Sequence, residues 1–171
     1  MEIIETERLF LRRFIPDDSE FILELLNTEG WIRYIGDRNV RTTEQAKSYL
    51  ENGALKSYET NGFGLNLVQL KANNKPIGMC GLIKRDYFDH PDIGFAFLPD
   101  YTGKGYAYEI AERVINYGLN QIQLKKILAI TLPENFPSIK LLKKLGFSYE
   151  KNFVSADTNE ELSLYSIKKE N

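Results

Sequence analysis

A single cysteine, Cys80, rules out an internal disulfide, so nothing here points to an oxidising compartment. There is also a single histidine, His90, and no group of His, Cys, Asp and Glu has ligand spacing, so no metal is expected. No apolar run approaches the roughly 20 residues that cross a bilayer. The opening stretch, with Glu2, Glu5 and Glu7, lacks the basic-then-apolar order of a secretion signal. Basic residues are not in excess. The net charge is −2, which argues against a nucleic-acid surface. Tyrosines and phenylalanines are interleaved with strand residues as a core would be, and are not set in a basic field. Repeats, low-complexity tracts and interdomain linkers are all missing. The default is therefore a cytoplasmic protein with neither membrane nor nucleic acid as partner; a homodimer is left open.

What is present reads as one domain over residues 1–171, long enough to bury a single core. Arg8 to Phe14 alternates Leu9 and Leu11 with arginines, as a strand does. Pro16-Asp17-Asp18-Ser19 opens a helix whose Phe21, Ile22, Leu25 and Leu26 recur at helical spacing. Asn27 to Arg41 reads as a polar-aromatic loop, and Thr42-Thr43-Glu44-Gln45 opens a second helix to about Tyr58. Phe63 to Lys71 and Lys75 to Lys84 form a hairpin around Asn73-Asn74, and Asp92 to Leu98 is a further strand. Beyond it come a helix from Glu109 to Leu119, a strand from Lys126 to Leu132 and a helix after Asn135. Two closing strands, Phe147 to Phe153 and Glu161 to Lys168, complete the chain. This order predicts an α+β fold with one mixed, mostly antiparallel sheet of about seven strands, flanked by about four helices.

Two junctions carry the chemistry. In the first, Pro99-Asp100-Tyr101-Thr102-Gly103-Lys104-Gly105-Tyr106-Ala107 links an apolar strand to a helix. A glycine-paired turn there lets the backbone approach a ligand closely and aims the free N–H groups of the first helical turn at an anion. In the second, Asn135 is a natural N-cap, Pro137 falls where its missing N–H costs nothing, and Gly146 is a natural C′ residue with lysines before it.

This pair of motifs, in this order and spacing, resembles the GNAT superfamily of N-acetyltransferases, and the likeness spans nearly the whole chain. The family's first motif is a Gln or Arg, two residues, Gly, one residue, then Gly or Ala. It falls on Thr102, Gly105 and Ala107. The second, an Asn opening a helix that ends in Lys-x-Gly-Phe, falls on Asn135, Lys144, Gly146 and Phe147. Thr6-Glu7-Arg8-Leu9-Phe10-Leu11-Arg12, Ile77-Gly78-Met79-Cys80-Gly81-Leu82 and Ser138 are similar to the branch that includes the ribosomal-protein N-terminal acetyltransferases. Two departures stand out. Thr102 replaces the usual Gln or Arg, so one contact to the cofactor's phosphates is weaker or moved. Leu142 stands where many members carry a tyrosine that protonates the leaving thiolate.

The resemblance implies a GNAT-like fold and transfer of acetyl from acetyl-CoA to a primary amine by direct attack in a ternary complex. The amine is either a protein N-terminus or a small molecule. A non-catalytic acyl-CoA-binding module, a sensor or partner protein, is the alternative. The cofactor is expected at Ala96, Phe97 and Leu98 for the pantetheine arm, at Thr102, Gly103, Lys104, Gly105, Tyr106 and Ala107 for the pyrophosphate, and at Asn135. Lys104 is either a point charge for phosphate or a solvated lysine, and Asn135 an arm contact, a cap, or both. Ser138 is the candidate proton donor to the thiolate, one turn after Asn135 on the same face, or else satisfies a backbone group in that turn. Asp92 is the candidate base, or else a solvated carboxylate. His90, in Asp89-His90-Pro91, reads as a surface turn, and Cys80 as a buried small hydrophobe. Trp31, Tyr34 and Asp37 are the aromatic and acidic types that an ammonium acceptor wants, unless the loop is simply exposed with Trp31 tucked onto the core.

Overall fold

The computed structural model describes residues 4–169, so Glu2 lies outside the described residues. One eight-stranded sheet runs in the order β1-β2-β3-β4-β5-β6-β8-β7. The strands are β1 (Ile4–Glu5), β2 (Leu9–Arg13), β3 (Leu65–Leu70), β4 (Pro76–Ile83), β5 (Asp92–Phe97), β6 (Lys126–Thr131), β7 (Ser148–Val154) and β8 (Glu161–Lys168). All neighbouring pairs are antiparallel except β5 with β6. The extra strand relative to the sequence reading is β1, two residues that pair with Phe10 and Leu11.

The helices differ from expectation in two places. Between α1 (Ser19–Leu26) and α3 (Thr43–Leu50), the expected loop contains a short helix, α2 (Glu29–Tyr34). Thr28 caps it by accepting the Trp31 amide at 3.3 Å. The expected second helix then runs past Tyr58: α3 passes through a wide π turn at Glu51–Leu55 into α4 (Lys56–Asn61). Its start is as expected, a capping box in which Thr42 accepts from the Gln45 amide and the Gln45 side chain reaches back to the Thr42 amide. α5 (Tyr106–Asn116) and α6 (Phe136–Lys144) follow the two motifs.

Strand alternation divides the core between the two sheet faces. On one, Leu9, Leu11, Cys80 and Ile93 pack with Ile110, Val114 and Ile115 of α5 and with Leu142 of α6. On the other, Leu67, Met79 and Leu98 pack under Ile22, Leu25, Trp31 and Leu50 of the first helices. Burial of Cys80 pushes its thiol up, as expected of a small hydrophobe rather than a nucleophile.

Candidate active site

The parallel seam between β5 and β6 is barely closed. Asp92 and Leu128 are the one Cα pair of this ladder, with the Leu128 amide donating to the Pro91 carbonyl at 2.9 Å. Beyond that pair the strands part. In an antiparallel pair, alternate residues exchange both backbone bonds with the partner strand. The Leu98 amide donates to the Ile77 carbonyl of β4, so Leu98, Ala96 and Gly94 face β4. Phe95 and Phe97 therefore turn their N–H and C=O groups into the gap. Of the three residues expected to hold the arm, only Phe97 presents its backbone there. Phe95 joins it, and Ala96 and Leu98 are already paired.

At the open end lies the glycine turn. Gly103 and Gly105 have φ of +71° and +83°, a region costly for other residues. Gly105 is the N-cap of α5, its carbonyl taking the Glu109 amide at 3.0 Å. Among the described residues, the amides of Gly103, Lys104 and Gly105 make no backbone hydrogen bond. With the free first-turn amides of α5, they form a run of unpaired donors, and a helix end of this kind favours an anion by about 0.3–1 kcal/mol. A Cβ on Gly105 would lie 3.3 Å from the Arg8 guanidinium, so a side chain there would have to press that group aside. The turn fits a pyrophosphate. Thr102 is directed elsewhere: its hydroxyl donates to the Pro99 carbonyl at 2.9 Å. Lys104 is exposed, with its ammonium 5.6 Å from the Tyr101 ring centroid.

One bracing group was not anticipated. Arg8 donates to the Lys104 carbonyl at 3.1 Å and to Glu109 at 2.7 Å, and lies 4.4 Å over the Tyr106 ring. The Arg8 amide and the Thr6 hydroxyl also donate to Glu109, at 2.9 and 2.5 Å. Burial raises the Glu109 carboxyl, but these bonds outweigh it and hold it below the usual carboxylate range. Thr6 and Arg8 stood in the opening motif, yet nothing local ties them to a residue one hundred positions on.

Across the gap, Asn135 caps α6, its Oδ1 accepting the Ser138 amide at 3.3 Å. The Asn135 side-chain NH2 and the Ser138 hydroxyl, both on half-buried residues, have no hydrogen-bond partner among the described residues. Ser138 thus does not serve a neighbouring backbone group with its hydroxyl, which is free to donate. Leu142, one turn on, is 1% exposed within the core.

At the closed end, Asp92 is neither solvated nor free. It is 1% exposed and its two oxygens accept from Arg85 at 2.8 and 3.2 Å. Burial pushes its carboxyl up, and the Arg85 guanidinium pulls against that rise. His90 stays in the turn before β5, half-buried.

On the other sheet face, Trp31 is buried in the cluster that includes Leu98, its indole N–H donating to the Gly36 carbonyl at 3.1 Å. It is a core anchor rather than an exposed aromatic face. Asp37 is held by Arg41 and by the Asn39 amide at 2.8 Å, and the Arg41 bond first, then the amide, lowers its carboxyl. Tyr34 is half-buried, with the Arg33 guanidinium 5.0 Å over its ring. A cavity of about 480 Å³ opens on this face between the α3–α4 segment and β3–β4. Asn52 and Gly53 of the π turn line it, as does Ile83, the β4 partner of Asp92. Period-3.6 reasoning does not reveal a π turn, so this cavity had no sequence signal.

Among the described residues no group of His, Cys, Asp and Glu could hold a metal, and no helix is long and apolar enough to cross a membrane.

Comparison with known proteins identifies the family of the chain. A family model described as an acetyltransferase (GNAT) domain matches residues 8–148. The uncharacterized N-acetyltransferase YoaA of Bacillus subtilis is 30% identical, over 98% of this chain and 97% of its own. Spermidine N(1)-acetyltransferase of Escherichia coli K12 is 40% identical over 82% of this chain and 73% of its own. Among solved structures, the ribosomal-protein-S5-alanine acetyltransferase from Vibrio fischeri has a TM-score of 0.81 at 23% identity, covering 98% of this chain and 97% of that one.

Proposed function

The chain belongs to the acetyltransferase (GNAT) family and is an acetyl-CoA-dependent N-acetyltransferase, and we propose that it acts by direct attack on primary amines, small polyamines first among them. The observation that carries this reading is the gap beside β5. It is edged by the backbone of Phe95 and Phe97, headed by the glycine turn and faced by Asn135 and Ser138. The preference for polyamines rests on the 40% identity to the spermidine acetyltransferase. The ribosomal-protein acetyltransferase shares the fold at 23% identity, which says nothing of the acceptor.

Acetyl-CoA, when bound, supplies an activated acetyl thioester. In the proposed arrangement the amides from Gly103 to Ala107 hold its pyrophosphate, and Phe95 and Phe97 pair with the amides of its arm. The free side-chain amide of Asn135 donates to that arm from the opposite wall. The hydroxyl of Ser138 would pass a proton to the departing sulfur and take one back from water, the part that a tyrosine at position 142 could not play from inside the core. Cys80, buried and with its thiol pushed up, is no acyl carrier, which supports direct attack. Asp92 we assign, with Arg85, to clasping the closed end of the gap, and the amine's proton passes to water. The acceptor side is assigned to Tyr34 and, separately, to the cavity at the π turn, with Trp31 buried in the core and Asp37 tied to Arg41.

The test is thiol release and mass spectrometry with acetyl-CoA and a panel of spermidine, spermine, free amino acids and short peptides with free N-termini. Acetylated polyamine is expected. Acetylation of peptides alone would move the acceptor to protein N-termini. Failure to release thiol with any amine, together with no binding of acetyl-CoA, would remove the reading altogether.

A further inference from the structure

We propose that Arg8 is a positioning residue for the phosphate cradle, aiming the Gly105 amide at the ligand while cancelling the charge of Glu109. The proposal rests on the reading that the pyrophosphate of acetyl-CoA lies at the glycine turn.

The Lys104 carbonyl and the Gly105 N–H belong to one peptide unit. In a trans peptide these two groups point in opposite directions. Arg8 donates to that carbonyl at 3.1 Å, so the Gly105 N–H is directed away from Arg8. This peptide joins Lys104 to Gly105, whose φ is +83° and which has no Cβ to hinder rotation on that side. Such a unit turns easily, and the guanidinium selects one orientation. A charged donor on the carbonyl also polarises the amide on the same unit, strengthening it toward an anion.

Glu109 supplies the second half of the argument. It lies in the first turn of α5, where a free carboxylate would repel a phosphate bound at the same helix end. Its oxygens are instead taken by the Arg8 guanidinium, the Arg8 amide and the Thr6 hydroxyl. Arg8 thus answers a carboxylate that would otherwise oppose binding, and Glu109 fixes the guanidinium that orients the turn. Neither residue needs to touch the ligand.

The two roles predict an unusual pattern. Arg8→Gln should raise the acetyl-CoA dissociation constant about tenfold or more, by calorimetric titration, since it both frees the peptide and bares Glu109. Adding Glu109→Gln to Arg8→Gln should recover part of that loss, because the bared charge is then gone. At saturating acetyl-CoA, kcat should stay within about twofold of the parent while KM for acetyl-CoA follows the dissociation constant. A merely structural pair would give a double variant no better than Arg8→Gln and a fall in kcat. That pattern overturns the proposal, as does a dissociation constant for Arg8→Gln within about twofold of the parent. Should Arg8→Gln fail to fold, Arg8→Lys carries the test. It keeps a charge near Glu109 but cannot fork to both partners, so a smaller rise is expected, and an unchanged constant overturns the proposal. A parent that binds no acetyl-CoA at all overturns the cradle itself, a separate outcome.

Discussion

Ser138 and Leu142 lie one turn apart on α6, yet their surroundings are opposite. The Ser138 hydroxyl is half-buried with no partner among the described residues, whereas Leu142 is 1% exposed in the core. A proton donor to sulfur acts mainly in the transition state, so Ser138→Ala should lower kcat while leaving the acetyl-CoA dissociation constant nearly unchanged. A loss of about 10²–10⁴ in kcat is the scale of a full general acid. Unchanged kcat would hand the thiolate to solvent. Leu142→Tyr should not substitute for Ser138, because a ring and a hydroxyl would enter a close-packed site. The expected cost is about 1–3 kcal/mol of stability, measured by urea unfolding. A Leu142→Tyr protein as stable as the parent, and rescuing Ser138→Ala, would mean that α6 can roll to expose this position.

The elements divide by how much of each the residues reveal. The strand Leu9–Arg13 showed its alternation of leucines with arginines, and Asn135 and Gly146 marked the ends of α6, so both were legible. The six-residue helix Glu29–Tyr34 was not: it is too short to display a period, and Gly30 sits inside it. The gap between β5 and β6 was legible only as order along the chain. Its useful surface is backbone, which any side chain could present. Register then sharpens what sequence left coarse, because Leu98 pairs with Ile77 and so Phe95 and Phe97 face the gap. This alternation predicts a residue-specific result in amide hydrogen exchange followed by NMR. Acetyl-CoA should slow exchange at Phe95 and Phe97 and leave Ala96 and Leu98, already bonded to β4, little changed. Equal protection at all four would mean that the ligand tightens the whole strand without pairing along it.

At the scale of the molecule, the question is whether the open seam makes two bodies of one. Backbone pairing between β5 and β6 rests on Asp92 and Leu128, so the sheet alone would allow the segment from β6 onward to part from the rest. Side chains argue the other way. Ile127, Ala129, Leu142, Phe147 and Tyr165 from beyond the seam share one cluster with Leu9, Leu11, Ile110 and Val114 from before it. A shared core unfolds as a unit, and a ligand in the gap stabilises only the state in which the gap exists. The protein should therefore melt in one calorimetric transition, with and without acetyl-CoA. At one hundred times its dissociation constant the ligand contributes about 2.7 kcal/mol. For a chain of 150–250 residues each kcal/mol shifts the midpoint by about 2–4 °C, giving a rise of roughly 5–10 °C. Gly105→Glu, which strains the positive-φ turn, presses on the Arg8 guanidinium that braces it and adds a negative charge beside the proposed pyrophosphate site, should keep the single transition and lose the rise. Two transitions, with acetyl-CoA moving only one, would show that the cluster does not bind the halves together and that the seam is a true hinge.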